Sequence, residues 1–539
     1  MKKLLSLANS ALLFSLYLLP AQANTGHAPA PWILAQASQS VSKAQLEQAL
    51  QAYKAKDYDK ATALTNTLIE NNPDFSQGFA YYLRGLVRFE QQDVSNALKD
   101  FEEAIAISDK NPYYYYDRGR TYAKLGEYNK ALADYTISLS RSPNDLAKKS
   151  YPYNARGLAY LYTLNNPAAL KDFQRAVEIS PEFKFAWYNL SRVHNEQGNY
   201  AEALVAAKKA LQIDGRYDAA FYQQAVAYHG LGDYKAAVEN FNQALKLYPD
   251  WEDYFYNERG LAHLNLADYE RARQDFDKAV RMNPKNYNAI NNLGLSYYRQ
   301  QQYTKALPYF ERAAEVNPQF ATVYYNQGLT YKSMGQYEQA ITAYSQSIAL
   351  QPNDANAYNN RGLVYASQAK FEEALADLFK AQELNPQDRR ALNNIGDIHR
   401  REKKYDQALV YIQKALAIDP DYVLALDNLG MINFGLRDYE GAARAFEKAL
   451  RLDPTRVATR NDLGVTYRNL KQFDKAREMF ERILKADDNN ALALANIGRV
   501  ERDRGNCELA QQFFKKACDK GNKEACKLGC EADEAPERP

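Results

Sequence analysis

Apolar, aromatic and small residues recur along this chain with a period of about 34 residues. A glycine marks most copies of the pattern, and Ser191 and Ala225 take its place in two of them. When this glycine is numbered 8, positions 4, 8 and 11 fall on one face of a helix, and positions 17, 20, 24 and 27 on one face of a second helix. The period therefore predicts about fourteen pairs of helices, marked by glycines 85, 119, 157, 260, 294, 328, 362, 396, 430, 464 and 498.

A few positions explain why each pair would fold and why the pairs would stack. Position 20 is alanine in every copy, and position 24 is usually aromatic. Small residues at positions 8 and 20 allow the two helix backbones to approach closely. Proline, which is frequent at position 32, ends the second helix and begins the connection to the next copy. Because neither helix can bury its apolar face alone, neighbouring copies must pack on one another.

This pattern resembles the tetratricopeptide repeat over roughly residues 42–520. One copy carries the full set of matching residues, namely Tyr324, Gly328, Tyr331, Gly335, Tyr337, Ala340, Tyr344 and Pro352. The resemblance implies an all-α fold, a right-handed superhelical solenoid of about fourteen helix-turn-helix repeats. Such a solenoid offers a long concave surface to partners and seldom contains a catalytic pocket.

Comparison of the copies with one another predicts five ion pairs. Position 7 is arginine in five copies, and only in those copies is position 23 aspartate. A partly buried arginine needs a carboxylate partner, because an unpaired buried charge is costly. An anion-binding site is the alternative. We expect a pair to join the two helices in each of these copies: Arg84 with Asp100, Arg118 with Asp134, Arg156 with Asp172, Arg259 with Asp275, and Arg361 with Asp377.

The residues at position 6 are the candidate binding residues. In tetratricopeptide proteins the first helices line the concave face and position 6 looks into it, so the resemblance implies a ladder of amides along the groove. A side-chain amide both donates and accepts hydrogen bonds, so it can bind the backbone of an extended peptide whatever its sequence. The alternative is that asparagine is common at this position in the family and stabilises the helix surface. The predicted peptide-binding amides are Asn189, Asn292, Asn326, Asn360, Asn394, Asn428 and Asn496.

The predicted groove also changes in charge along the chain. Later copies carry arginine at groove positions, whereas earlier copies carry mainly leucine and valine there. An apolar middle and a basic end would suit a ligand with an acidic tail, and a solvated charged face is the alternative. The basic end consists of Arg400, Arg401, Arg468, Arg499 and Arg502, of which Arg400 and Arg468 join the predicted peptide-binding residues.

The N-terminus predicts export. Lys2 and Lys3 precede an apolar run, which is followed by the sequence Ala21-Gln22-Ala23, as in a cleavable secretory signal. An uncleaved anchor is the alternative, although the apolar run of about 16 residues is short for a membrane span. We therefore expect a periplasmic or secreted protein with no stable membrane span after cleavage.

These patterns divide the chain into a signal peptide at residues 1–23, a linker at 24–41, the repeat array at 42–520, and a cysteine-containing cap with a disordered tail at 521–539. The formal net charge is +2. Cleavage after residue 23 would remove two lysines and no acidic residue, so basic and acidic residues would then be equal in number. A neutral exported protein is a poor candidate for nucleic-acid binding, which requires a basic surface, so we expect no nucleic-acid partner.

All four cysteines lie close to the C-terminus, at Cys507, Cys518, Cys526 and Cys530. An even number in an exported protein suggests disulfides, and the sequence alone permits three connectivities. The segment resembles a Sel-one-like repeat, the cysteine-rich relative of the tetratricopeptide hairpin. That resemblance implies a bridge between Cys518 and Cys526, which leaves Cys507 to pair with Cys530. Metal binding is the alternative, but no C-x-x-C motif occurs. We expect a structural staple at the end of the array.

The sequence favours a scaffold or adaptor that has no catalytic activity and binds proteins or extended peptides in its groove. His194, His263 and His399 occupy position 11, where most copies carry tyrosine, so we interpret them as core residues. No two histidines have metal-ligand spacing, and we expect neither a cofactor nor a metal. One alternative is a periplasmic accessory protein for envelope assembly or polysaccharide export. Another is an enzyme with an attached repeat domain, for which residues 42–520 leave no room.

Overall fold

The computed structural model describes residues 40–71, 78–141, 149–249 and 251–529. Within these ranges the chain forms 28 α-helices and no β-strand. A short 3-10 helix, Ala525–Lys527, follows the last of them. In chain order the helices are α1 Ser40–Lys54, α2 Tyr58–Asn71, α3 Phe79–Glu90, α4 Val94–Ile107, α5 Pro112–Lys124, α6 Tyr128–Arg141, α7 Ser150–Tyr162, α8 Asn166–Ile179, α9 Lys184–Glu196, α10 Tyr200–Ile213, α11 Asp218–Leu231, α12 Tyr234–Leu247, α13 Asp253–Asn265, α14 Tyr269–Met282, α15 Tyr287–Arg299, α16 Tyr303–Val316, α17 Ala321–Ser333, α18 Tyr337–Leu350, α19 Ala355–Ser367, α20 Phe371–Leu384, α21 Arg389–Arg401, α22 Tyr405–Ile418, α23 Val423–Gly435, α24 Tyr439–Leu452, α25 Val457–Asn469, α26 Phe473–Ala486, α27 Ala491–Asp503 and α28 Cys507–Asp519.

Each odd-numbered helix packs against the even-numbered helix that follows it. The odd helices carry the first apolar pattern of each repeat and the even helices carry the second, so the predicted all-α fold of helix-turn-helix repeats is confirmed. Helix α1 begins at Ser40, two residues before the start of the array that the sequence predicts. The predicted signal peptide, nearly all of the linker and the C-terminal tail lie outside the described residues.

Glycine is favoured at position 8 because in most repeats an aromatic ring at position 24 lies directly against it, although one repeat combines Ala225 with Phe241. A Cβ atom on Gly85 would lie 2.8 Å from Phe101 Cε1, and one on Gly328 would lie 2.7 Å from the Tyr344 ring. Both rings are fully buried. Ser191 is tolerated because position 24 of its repeat is alanine, and the Ser191 hydroxyl donates a 2.8 Å hydrogen bond to a backbone carbonyl of the second helix.

The turn inside every helix pair contains one residue with a left-handed backbone, at position 15. Glycine supplies this conformation in five pairs, whereas nine pairs place another residue there, with φ between 57° and 68°. A residue with a Cβ atom is less stable than glycine in this region by about 1–2 kcal/mol. The nine residues are Lys56, Gln92, Leu164, Ala267, Gln301, Ala369, Lys403, Arg437 and Lys471.

Contacts within the chain divide it into two units, Met1–Pro284 and Lys285–Pro539. Unit 1 contains α1–α14 and unit 2 contains α15–α28, so each unit has seven helix pairs. Within each unit, first helices of successive pairs also pack on one another, except for α11 and α13. Second helices of successive pairs show no such close packing in the described ranges. The first helices therefore form one side of each unit, which we call the first-helix face.

No helix in the part of the chain that the structure describes has both the length and the mean hydropathy needed to cross a bilayer.

Candidate interaction surface

Arginine at position 7 and aspartate at position 23 meet in all five repeats that contain them. In each pair Nε and Nη2 of the guanidinium donate to the two carboxylate oxygens, and the shortest contact is between 2.6 and 2.8 Å. The aspartates are buried and the arginines are half-buried. The hydrogen bond to aspartate raises the pKa of Arg118, Arg156 and Arg361, so these side chains stay charged. Each pair joins the two helices of one repeat.

Residues at two further positions contact these ion pairs, and they were not among the predicted site residues. Position 4 is tyrosine in all five repeats, and its ring lies 5.4–5.8 Å from the guanidinium carbon. In four repeats Nη1 donates to a polar side chain at position 25 of the preceding repeat, as from Arg84 to Asn66 at 2.7 Å. The co-occurrence of tyrosine at 4 with arginine at 7 was visible in the sequence. The arginine thus joins successive repeats as well as successive helices.

A row of hydrogen-bonded side chains at positions 5 and 6 follows the first-helix face of unit 2, and we call it the amide ladder. Because neighbouring first helices pack closely, position 6 of one repeat lies opposite position 5 of the preceding repeat. At each rung the Nδ2 of an asparagine at position 6 donates to an oxygen at position 5. The rungs join Asn326 to Asn291 at 2.8 Å, Asn360 to Tyr325 at 2.9 Å, Asn394 to Asn359 at 2.9 Å, Asn428 to Asn393 at 3.0 Å and Asn496 to Asn461 at 2.8 Å.

Unit 1 has fewer rungs. Asn189 donates to Asn154 at 2.8 Å, and the Tyr82 hydroxyl donates to Asp117 at 2.7 Å. No rung hydrogen bond joins α11 to α13 in this described region. Trp251 lies between the two helices instead, with its ring stacked 5.4 Å from Tyr222 of α11 and 4.9 Å from Phe255 of α13. The chain has one extra residue between these two repeats.

The ladder changes the interpretation of the predicted peptide-binding amides. Six of the seven use their Nδ2 group in a rung, and the seventh, Asn292, accepts a hydrogen bond from Asn291 at 3.4 Å. Four of them, Asn189, Asn292, Asn326 and Asn496, are more than nine-tenths buried. The six amides that form rungs therefore hold successive repeats together. Peptide binding by them stays a prediction.

The two predicted binding arginines are also engaged within the protein. Arg400 contacts Asp397 at 2.6 Å and donates to Asn428 at 3.2 Å. Arg468 is buried and its Nε lies 3.2 Å from a carboxylate oxygen of Asp503. Because acidic side chains offset both cations, the basic end that the sequence suggests carries less net charge than its arginines alone would give.

The histidines at position 11 lie among core side chains. His263 and His399 are buried and His194 is half-buried. Burial lowers the pKa of all three, so their imidazoles are neutral at pH 7. In the described ranges, no group of three or more histidine, cysteine, aspartate or glutamate side chains is arranged to hold a metal ion.

The last helix is fastened to the segment that follows it. Cys518 near the end of α28 is bonded to Cys526 in the 3-10 helix, and their Cα atoms are 4.8 Å apart. Buried Ala525 packs beside Ala517 of α28. Cys507 is also disulfide-bonded, and its predicted partner Cys530 lies outside the described residues.

Repeated helix pairs, joined by ion pairs within repeats and by amide rungs between them, define a helical-repeat protein. Tetratricopeptide-repeat family models match residues 85–126, 112–145, 184–250, 222–286 and 434–497. The family model described as the cilia and flagella-associated protein 70 C-terminal domain matches residues 256–462. Together with the helix pairs, these matches support a tetratricopeptide-repeat protein.

Curated relatives match parts of the chain. The heat shock protein sti1 homolog of Schizosaccharomyces pombe is 26% identical over 135 residues, which are 24% of this chain and 22% of that protein. Serine/threonine-protein phosphatase 5 of Rattus norvegicus is 35% identical over 105 residues, 19% of this chain and 21% of that protein. Tetratricopeptide repeat protein 13 of Homo sapiens is 25% identical over 163 residues, 29% of this chain and 18% of that protein. The chain thus spans less than a quarter of the length of each relative.

Among solved structures, the crystal structure of the APC/C hetero-tetramer Cut9-Hcn1 is similar, with 16% sequence identity and a TM-score of 0.46. The similarity covers 91% of this chain and 95% of that chain.

Proposed function

We propose that the protein is an exported, non-catalytic scaffold or adaptor that binds other proteins or extended peptides along its first-helix faces. The observation that carries the proposal is the packing of successive first helices within each unit, except for α11 and α13, because repeats packed in this way extend the same surface. Half-buried aromatic and polar side chains stand on these faces, and they supply the contact area and hydrogen bonds typical of protein interfaces. Examples are Tyr188, Tyr254, Tyr298, Lys332 and Arg400.

The matches to tetratricopeptide-repeat models support a role in protein interaction. Helix pairs occupy the described residues from Ser40 to Asp519, so this part of the chain consists of repeats.

Site-specific photo-crosslinking tests the binding surface. A photoreactive residue placed on the first-helix faces, at Leu261 or Leu295, should crosslink to a protein partner in cells. The matched controls are exposed second-helix positions, Val205 and Val410, which are 60% and 48% exposed. Crosslinks formed only from the control positions would contradict the proposed surface. Retention of a glycan without any protein would instead favour an accessory role in envelope assembly or polysaccharide export.

Export is proposed from the N-terminal pattern and the cysteines. Disulfides persist in oxidising compartments such as the periplasm, which agrees with a secretory signal. N-terminal peptide mapping of the protein from the periplasmic or secreted fraction should identify Asn24 as the first residue. A protein that stays in the cytosol and keeps Lys2 and Lys3 would contradict this part of the proposal.

A further inference from the structure

Four repeats carry an acidic residue at position 6 instead of an amide, namely those with Glu47, Asp117, Glu258 and Asp462. The last three differ in the partners that surround them. Asp117 has its own counter-ion, because Arg120 lies three residues further along the same helix and contacts it at 2.8 Å. The Tyr82 hydroxyl donates to the other oxygen of Asp117 at 2.7 Å. Both oxygens of this buried carboxylate are therefore satisfied within the protein.

Glu258 has no ion-pair partner in the described part of the chain. Three residues further along its helix stands Leu261 in place of the arginine. Its recorded hydrogen bond is a long one, 3.4 Å from Asn257 Nδ2. The separation of α11 from α13 removes the rung that would otherwise join it to Tyr222. Burial raises the pKa of Glu258 to about 7, so the ionised form lacks the stabilisation that water or a cation would give.

Half-buried Glu258 shares one face of α13 with Tyr254, which lies one turn before it, and other aromatic rings pack around Tyr254. Tyr222 contacts Tyr254 edge to face, with ring centroids 5.7 Å apart, and Trp251 stacks on the same ring. Burial, followed by the Glu258 carboxylate, raises the pKa of Tyr222 above its ordinary value, which places the two groups within electrostatic range. A carboxylate beside tyrosine rings can bind a cationic side chain in two ways, through an ion pair with the carboxylate and through cation–π attraction to the rings.

Asp462 stands in a rung that differs from the other rungs of unit 2. The residue opposite it, at position 5 of the preceding repeat, is Asp427, so two carboxyls face each other where other rungs have an amide donor. Asp427 is held by Arg456 and accepts a 2.8 Å hydrogen bond from Thr459. Asp462 is more than nine-tenths buried, and its recorded hydrogen bond comes from Asn461 at 3.2 Å. It lies in no ion pair of the described ranges.

The positive charge near Asp462 is too small to offset the negative charge of its ionised carboxylate. Arg400 is near enough to lower its pKa, but the hydrogen bonds of this arginine go to Asp397 and Asn428. Burial and the Asp427 carboxylate outweigh that effect and raise the pKa of Asp462 to about 6. A desolvated carboxylate without a counter-ion is unfavourable, and a cation brought by a ligand relieves this cost.

We propose that Glu258 and Asp462 each accept a lysine or arginine side chain of an extended peptide that binds along the first-helix face of its own unit. The inference rests on the proposed function and adds a chemical preference for basic peptides. It assigns recognition to two carboxyls, one in each unit, and not to the late arginines. A metal ion fits these positions less well, because no group of three potential ligands is present in the described residues.

The experiment is a selection of random, unstructured 12-residue peptides on the full-length chain at pH 8, where both carboxyls are ionised. The selected peptides are expected to contain lysine or arginine. Glu258→Gln or Asp462→Asn should lower affinity for them about tenfold, as expected for the loss of a close charge pair. Both substitutions keep side-chain size, and Asp462→Asn restores the amide that other rungs contain.

The controls separate this contact from general electrostatics. Glu252→Gln and Asp488→Asn remove one exposed negative charge from each unit and should leave affinity unchanged. Replacing the basic residue of a selected peptide by norleucine should abolish the difference between wild type and the matching variant, as in a double-mutant cycle. Affinity of the wild type should also fall on acidification to pH 5.

The outcomes are distinct. Selected peptides without basic residues, or peptides that bind both variants as tightly as the wild type, overturn the charge preference and leave the scaffold proposal standing. A wild-type chain that retains no peptide overturns both proposals. Losses that are equal in the variants and in the two controls also overturn the assignment to Glu258 and Asp462.

Discussion

At the scale of single residues, stability and recognition depend on whether a polar side chain finds a partner inside the array. The Arg156 guanidinium uses Nε and Nη2 on Asp172 and also contacts the preceding repeat through Nη1. The amides of the ladder have partners in neighbouring repeats. The acidic residues at position 6 show the contrast most clearly, because Asp117 has an arginine and Glu258 does not.

Replacing Asp172 with alanine should lower the free energy of unfolding by about 2–4 kcal/mol, because a half-buried arginine then loses its carboxylate. Urea unfolding of the wild type and the variant measures this difference. The matched control combines Asp172→Ala with Arg156→Leu, which recreates the residues of the next repeat, Leu190 and Ala206. The double variant should recover most of the loss. If the loss of stability in the double variant equals the sum of the losses caused by Asp172→Ala alone and Arg156→Leu alone, lost packing and not the unpaired charge is responsible.

The Asp462 carboxyl should make unit 2 less stable at neutral pH than at mildly acidic pH. Burial and Asp427 raise its pKa from 3.8 to about 6, against the opposing effects of Asn461 and Arg400. The folded chain therefore binds this proton more tightly than the unfolded chain. Its favourable contribution is complete below about pH 4 and is lost as the pH rises to about 6.

Comparison with Asp462→Asn isolates that contribution. At pH 7.5 the variant should be more stable than the wild type by up to about 3 kcal/mol, and at pH 4 the two should be nearly equal. The urea midpoint of both proteins across this pH range is the measurement. A difference that does not change with pH would show that Asp462 titrates normally.

At the scale of the helix pair, the same local geometry recurs with different residues. Each turn has a left-handed residue at position 15, and each first helix lies close to its second helix at position 8. Leu164 is the least suitable occupant of the turn, because it is a large apolar residue, has φ 59° and is 84% exposed. No side-chain packing offsets its backbone strain.

Leu164→Gly should therefore raise the stability of the repeat formed by α7 and α8 by about 0.5–1 kcal/mol. This is the gain from a relaxed left-handed residue minus the greater freedom of glycine in the unfolded chain. The thermal midpoint of unfolding should rise slightly. Gly198→Ala, at the equivalent position of the next repeat, is the reverse control and should lower the midpoint. A stabilising effect of both substitutions would be inconsistent with the backbone explanation.

At the scale of the whole molecule, each repeat is stabilised mainly by its neighbours, so effects should stay local within a unit. Beyond the last described helix pair, the Cys518–Cys526 bond holds the 3-10 helix against α28. A bond that closes a short loop of this kind contributes roughly 2 kcal/mol.

Replacing both Cys518 and Cys526 with serine should accelerate amide hydrogen exchange in α28 and in the 3-10 helix by at least about tenfold, because the end of the array frays. Exchange in α15–α24 should not change. Faster exchange throughout unit 2 would mean that the unit unfolds as one cooperative block and not repeat by repeat. Hydrogen–deuterium exchange mass spectrometry of peptides from both regions measures the two exchange rates in one experiment.

Features that depend on spacing inside one repeat could be predicted from the sequence. The helix pairs follow from apolar periodicity, because residues three and four apart share a helix face. The expected contact between Arg156 and Asp172 came from comparing repeats, since two positions that change together occupy one local site. The role of the ladder asparagines could not be found in this way. Asn326 and Asn291 belong to different repeats, and their contact depends on the distance between two first helices.

The sequence by itself determined the repeating helix pairs and the residues that close each pair, because these depend on contacts between nearby positions. Only the tertiary structure decided which polar groups of the first-helix face have partners. Trp251 stacks on rings of both α11 and α13, and in this described region no rung joins Glu258 to Tyr222. Asp462 faces Asp427 across the interface between two repeats. Whether a charge is compensated depends on the neighbours that folding brings together, and the position of a residue in its own repeat does not reveal them.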